Sequence, residues 1–230
     1  MKFLITKLFF LSFCLTSNSQ NLSVHYHVER EIIGLPDGVA HPPLSLTGYY
    51  YKKGNKIISY LRPEYLKEFP QGELRLESEN HTVGLFSDTI QSICYADLDS
   101  MILRYRFASL PGENENINRH FDLDFREWSI QKATEIIHGM ECRHAIQFNT
   151  SGDKVNAEIW YYPDISMPVG FANLLNVPGL IVKAKLHGTR ETYYLKEFST
   201  STEPKDNLFW PKEFNERFTT KSDLRKKKNS

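Results

Sequence analysis

Apolar and polar side chains alternate along most of this chain with the period of two that marks half-buried β-strands. From Leu22 to Arg30, Leu22, Val24, Tyr26 and Val28 fall on one face, and Ser23, His25, His27 and Glu29 on the other. Gly34 to Gly38 and the pair Pro42 and Pro43 break the chain into a loop. A hairpin follows: Gly48 to Lys52 and Lys56 to Leu61 flank Lys53, Gly54 and Asn55, where Gly and Asn accept the left-handed backbone of a tight turn. Arg62 to Gly72 reads as a connection, whereas Glu73–Glu77, Val83–Ser87 and the long run Ile93–Phe107 read as strands. Leu110 to Asn118 is the most polar stretch and predicts a loop. Trp128–Gln131, Ile136–Phe148 and Val155–Tyr162 predict three more strands, the last two joined by the turn residues of Asn149–Lys154. Pro163 withdraws a ladder donor and ends the third. Leu180–Leu186 and Thr192–Phe198 form a last hairpin about His187, Gly188 and Thr189, and Glu213–Phe218 reads as one or two helical turns. The pattern predicts a mainly β chain. It forms a single curved antiparallel sheet or half-barrel meander over residues 20–200, followed by a C-terminal extension at 201–230.

The N-terminus departs from this pattern. Met1 to Lys7 carries two lysines and no acid, Leu8 to Leu15 is an apolar run broken by Ser12, and Ser17, Asn18 and Ser19 present small residues to a signal peptidase. Residues 1–19 therefore read as a signal peptide with cleavage before Gln20, which places the protein in the periplasm or outside the cell. A membrane span needs about 20 apolar residues, and polar Thr16 to Gln20 follow this run too soon. Bulky Phe13 occupies the position before Cys14 where lipid attachment requires a small residue.

Composition narrows the function classes. The 28 basic and 28 acidic side chains cancel and the pI is about 7.1, so the basic stripe of a nucleic-acid protein is absent. The one charged cluster is the tail KSDLRKKKNS, residues 221–230, which reads as a solvated terminus. Fifteen Phe, 12 Tyr and three Trp supply enough bulk for one sizeable core.

Catalytic and cofactor motifs are missing: there is no phosphate-binding glycine loop, GxGxxG, HExxH, GxSxG or CxxC. His25, His27 and Glu29 project from one face of a strand and are metal-ligand types, but three ligands on one straight edge make a weak site beside ligands converging from several elements. His138 and His144 with Asp164 compose a base and its orienter for a periplasmic hydrolase, without a nucleophile set by spacing. The consecutive aromatics Tyr49, Tyr50, Tyr51 and Trp160, Tyr161, Tyr162 must turn some rings outward, which makes a binding surface of them. The chain thus reads first as a non-enzymatic binding module for a partner protein or an apolar ligand, with no cofactor.

Cys142, Arg143, His144 and Ala145, the hairpin into Trp160, Tyr161, Tyr162, Pro163, Asp164 and Ile165, then Pro168, Val169, Gly170 and Phe171, and finally Asn176, Val177, Pro178, Gly179, Leu180 and Ile181 resemble the GLPGLI family over roughly Phe125 to Phe198. The resemblance implies an exported envelope protein of Bacteroidetes-type bacteria, from a family without an established activity, catalytic residue or cofactor. Asn176 replaces the first glycine of the motif, and Asn is the non-Gly residue most tolerant of positive φ. Val177 replaces Leu, and Phe171 stands where the family has Pro after Gly170. Pro178 and Gly179 shape a turn that delivers Leu180 and Ile181 into the core, so the motif reads as a packing device.

Once Cys14 leaves with the signal, Cys94 and Cys142 remain, and an even count in an oxidising compartment favours pairing. Against it, a lone Cys is also a common small core residue. A bridge would close a loop of 47 residues and stabilise the fold by about 4 kcal/mol in the chain-entropy account.

Overall fold

The structure, a computed structural model, describes residues 21–32, 34–36, 41–67, 73–77, 82–86, 90–108, 114–120, 127–149, 151–171, 174–209 and 219–220. The signal peptide expected at residues 1–19, Gln20, the helical turns expected at Glu213–Phe218 and the basic tail lie outside the described residues. Among the described residues there are fourteen strands: β1 (Leu22–Arg30), β2 (Leu44–Lys53), β3 (Lys56–Pro63), β4 (Glu73–Glu77), β5 (Thr82–Phe86), β6 (Gln91–Asp97), β7 (Ile102–Ala108), β8 (Asn114–His120), β9 (Trp128–Ile137), β10 (Met140–Phe148), β11 (Val155–Tyr162), β12 (Leu180–Leu186), β13 (Glu191–Ser199) and β14 (Thr219–Thr220).

Twelve of them form one sheet in the order β14-β8-β7-β6-β3-β2-β1-β13-β12-β11-β10-β9, and β4 and β5 form a separate hairpin. Every neighbouring pair is antiparallel except β14 beside β8. The chain thus meanders outward from β1 on one side and returns to β1 through β13 on the other. This sheet has to curl. Ten strand spacings, about 48 Å when flat, separate β8 from β9, whereas the eight peptide steps from His120 to Trp128 reach at most about 29 Å. Gly48 sits in the bend beside β1: a Cβ there would stand 3.2 Å from Val28 Cγ2 and 3.3 Å from Tyr26 Cβ, so the strand keeps its glycine for close approach.

The concave side holds the main core. β1 contributes Leu22, Val24, Tyr26 and Val28, joined by Leu46, Tyr50, Ile57, Leu61, Ala145, Ala157, Ile159, Ala184, Leu186, Tyr193 and Leu195 from the flanking strands. The segment 163–179 between β11 and β12 fills it, inserting Ile165, Met167, Val169, Phe171, Leu174 and Val177, all buried. Phe171 lies among three phenols, 4.9 Å from Tyr26, 4.7 Å from Tyr193 and 6.3 Å from Tyr50 between ring centroids. Tyr26 donates its hydroxyl to the Ile181 carbonyl at 2.7 Å, tying β1 to β12 over the intervening β13. On the opposite face a smaller cluster of Ile58, Tyr60, Ile93, Tyr95 and Phe209 is closed by the turn Asp206–Phe209. Lys53 anchors that turn through Glu203 at 2.7 Å and Asp206 at 2.6 Å, so the C-terminal extension begins as part of the domain's packing.

The mainly β antiparallel architecture is as the alternation predicts, with four local differences. The run Ile93–Phe107 is two strands, β6 and β7, turning through Met101 at φ 52°. The polar stretch expected as a loop at Leu110–Asn118 contains the start of β8, because its backbone pairs with β7 whatever the side chains prefer. The segments Trp128–Gln131 and Ile136–Phe148 divide elsewhere, since His138 (φ 52°) and Gly139 (φ 76°) make the turn of the β9–β10 hairpin. Finally, Cys94 and Cys142 are not bridged to one another: both are buried, on β6 and β10, with six strands between them in the sheet.

Candidate functional site

The motif residues build the entry of β12. Asn176 adopts φ 54°, in the left-handed region that Asn tolerates best among residues other than glycine. Val177, Leu180 and Ile181 are buried in the main core. Gly179 is dictated by contact, because a Cβ there would lie 2.3 Å from the Tyr162 carbonyl oxygen and 2.9 Å from Pro163 Cα. These side chains pack; none presents a titrating or nucleophilic group.

The other residues singled out from the sequence are dispersed. Tyr161 is buried in the core while Trp160 and Tyr162 are half-buried, so the aromatic trio offers parts of two rings. Tyr50 is likewise interior, between half-buried Tyr49 and Tyr51. His25 Nδ1 stands 2.7 Å from Glu197, and His27 Nε2 stands 3.5 Å from Glu29. Among the described residues no group of three or more His, Cys, Asp or Glu side chains is arranged to hold a metal ion. His138, His144 and Asp164 do not converge: His138 is exposed in the β9–β10 turn, His144 stacks on Trp160, and Asp164 hydrogen-bonds Tyr162, whose phenol pKa it raises.

What the register does assemble is a row across the outer face of seven adjacent strands. Arg62 pairs with Thr47, Thr47 with His27, His27 with Tyr194, Tyr194 with Lys183, Lys183 with Trp160 and Trp160 with His144. His27 and Tyr194 stack at 6.2 Å and 23°, Lys183 Nζ lies 5.9 Å from the Tyr194 ring centre, and His144 and Trp160 stack at 4.8 Å and 25°. Arg62 lies 5.6 Å from the ring centres of both Tyr49 and Tyr60. Rings stacked sideways between strands turn their edges, and the cations between them, toward solvent; such cross-strand pairs are each worth about 0.2–1 kcal/mol.

Carboxylates flank the row. Glu158 receives His187 Nε2 at 2.9 Å and lies 3.9 Å from His144 Nε2. Glu64 accepts from Ser45 Oγ at 2.6 Å and Thr47 Oγ1 at 2.7 Å, and these bonds hold its carboxyl below the usual range. Partial burial first, then Glu29, pushes the Tyr194 phenol up. Rings, cations and carboxylates without a nucleophile compose a recognition surface. Sequence alternation places Lys183 and Tyr194 on the wet sides of their strands; their alignment with Trp160 and His27 depends on a register that no local pattern records.

No protein family matches the chain, and no curated protein matches it. Among solved structures it is similar to PNGF-II in a C2 crystal form, at 15% identity and a TM-score of 0.52, over 91% of this chain and 32% of that one. PNGF-II in a P21 form gives 14% identity and a TM-score of 0.47 over 92% of this chain and 33% of that one. A DUF1329 family protein from Desulfovibrio piger gives 11% identity and a TM-score of 0.27 over 88% of this chain and 93% of that one. The chain spans about a third of the length of the PNGF-II structures, and the C2 likeness is one of fold. Among the described residues no helix is long and apolar enough to cross a membrane.

Proposed function

We propose that this is an exported, non-catalytic binding module of the bacterial envelope, related to the GLPGLI family, which engages a partner protein through the outer face of β1 and β10–β13. The observation that carries this reading is the filled concave side. An apolar ligand in a curved sheet needs the trough, and here Phe171 and its neighbours on segment 163–179 occupy it. Recognition then falls to the outer face, where Tyr194 is 36% exposed beside Lys183, Lys185 and Glu158. Mixed aromatic, basic and acidic groups of this kind suit a protein surface. Export follows from the sequence of residues 1–19.

A photoreactive side chain at position 194, carried by the protein in its native envelope, tests the reading. The expected result is one discrete protein adduct that disappears when Lys183→Glu and Trp160→Ala are added to a chain that still folds. Stoichiometric lipid in an organic extract of the purified protein, with no protein adduct, overturns it. Intact mass tests the export step: the chain should begin at Gln20.

A further inference from the structure

Glu158 on β11 is a carboxylate held between two imidazoles from different elements. His187, in the turn after β12, stands with Nε2 2.9 Å from one of its oxygens, and His144, on β10, with Nε2 3.9 Å from the other. All three side chains are partly exposed, so bulk protons reach them. The cluster continues the row across the outer face: Lys183, Trp160 and His144 are paired in register, and two residues further along β12 Lys185 is paired with Glu158.

The surroundings of this carboxylate are basic. β12 sets Lys185 opposite Glu158 and Lys183 opposite Trp160, and both lysines are exposed. β10 places uncharged Ile146 opposite Glu158 on its other side and carries exposed Arg143 next to His144. β9 brings residues 131–133 alongside His144, with exposed Lys132 as their charged group. The turn that holds His187 also holds exposed Arg190. The next acid in register is Glu29 on β1, across Thr192 from Lys185, where it stands 3.5 Å from His27. Imidazole is the side chain whose ordinary titration falls between pH 5 and 8. With both imidazoles neutral, Lys185 and Glu158 cancel. With both protonated, the same carboxylate faces three cations, and the patch gains two positive charges. A surface that is mildly basic at neutral pH and strongly so in mild acid suits an acidic partner, and it selects that partner by pH.

We propose that the outer face takes an acidic segment of its partner, and that the His144–Glu158–His187 cluster makes this binding proton-gated, weak at neutral pH and strong in mild acid. The inference rests on the reading of the outer face as the recognition surface and names the chemistry of what it recognises.

Titration of the purified protein with a fluorescent oligoaspartate peptide at pH 7.5 and pH 5.5, at low ionic strength, tests it. The peptide's carboxylates and the protein's lysines and arginines, the basic tail included, keep their charge across this range. The change in affinity therefore reads the imidazoles, and variants separate these two from the rest; circular dichroism confirms that each variant folds. The wild type is expected to bind roughly tenfold tighter at pH 5.5. His144→Gln combined with His187→Gln should remove most of that gain. Glu158→Gln should act in the opposite sense and tighten binding at pH 7.5, which a loosened sheet would not do. No gain in acid, a gain that survives the double substitution, or a Glu158→Gln chain that binds no tighter at pH 7.5 each overturns the proposal. The photoadduct at position 194 in the native envelope keeps the two readings apart. An adduct formed equally at both pH values overturns the proton gate and leaves the outer-face reading standing, whereas no protein adduct at either pH overturns the outer-face reading and this inference with it.

Discussion

Arg30 on β1 donates from Nη1 to the Gln91 side-chain oxygen on β6 at 2.6 Å, although three strand spacings, about 14 Å in a flat sheet, lie between their strands. The bond is a chord across the concave face, and it exists only because the sheet curls. Arg30 also donates from Nε and Nη2 to Glu191 Oε1 at 2.9 and 2.5 Å, while Tyr193 and Thr189 donate hydroxyls to Glu191 Oε2 at 2.6 and 3.0 Å. A carboxylate that is 1% exposed thus has four donors.

Glu191→Ala should cost about 3 kcal/mol, because it strips a buried carboxylate from Arg30 and leaves two hydroxyls unpaired. Chemical denaturation measures the loss. Replacing Arg30 and Glu191 together by Met should recover part of it, since the cost comes from the orphaned partner.

Phe171→Ala should destabilise by about 3–5 kcal/mol by opening a cavity between Tyr26, Tyr50 and Tyr193, and Phe171→Leu by less. The near-ultraviolet circular dichroism of these phenols should weaken in both variants, because their fixed asymmetric packing depends on that ring.

Gly179→Ala should be more damaging than its size implies. The added methyl meets backbone, the Tyr162 carbonyl at 2.3 Å, and backbone cannot swing aside as a side chain does. A loss of about 2–4 kcal/mol, read from thermal melts, is expected, whereas Gly188→Ala, with open space around it, should be close to neutral.

Alkali should unfold the protein earlier than acid-base bookkeeping on exposed phenols predicts. Burial above all raises the pKa values of Tyr26, Tyr50 and Tyr193, with the neighbouring acidic groups of Tyr50, Cys94 and Glu191, respectively, adding to the shift. Folded values above the unfolded value of about 10 mean that their contribution is complete below pH 10 or so and is lost as pH rises further, by up to about 1.4 kcal/mol per unit for each phenol. The Tyr50 hydroxyl is buried with no hydrogen-bond partner among the described residues. Tyr50→Phe should therefore be neutral or stabilising by about 1 kcal/mol at pH 7 and should flatten the alkaline decline. Melting temperatures from pH 7 to 11 check both.

Cys94 and Cys142 should each take one alkylating group in denaturant without reductant, and none quickly in the native protein, where both are buried and burial raises the Cys142 pKa. Mass spectrometry counts the adducts.

Local pattern alone determined the mainly β class and the two faces of Leu22–Arg30, because side-chain alternation is decided within a few residues. The extent of other strands was less legible. The polar side chains of Asn114–Asn118 argue for a loop, yet their backbone completes a ladder with β7. The long run Ile93–Phe107 is divided by a turn in which Met101 takes positive φ. Only the tertiary structure decided that β13 lies beside β1, that Phe171 plugs the concave side and that His27, Tyr194, Lys183, Trp160 and His144 stand in one row. These facts join residues far apart along the chain, and a one-residue slip in any pairing would turn the whole strand over. Register is therefore set by the curvature and burial of the complete sheet, which no single segment carries.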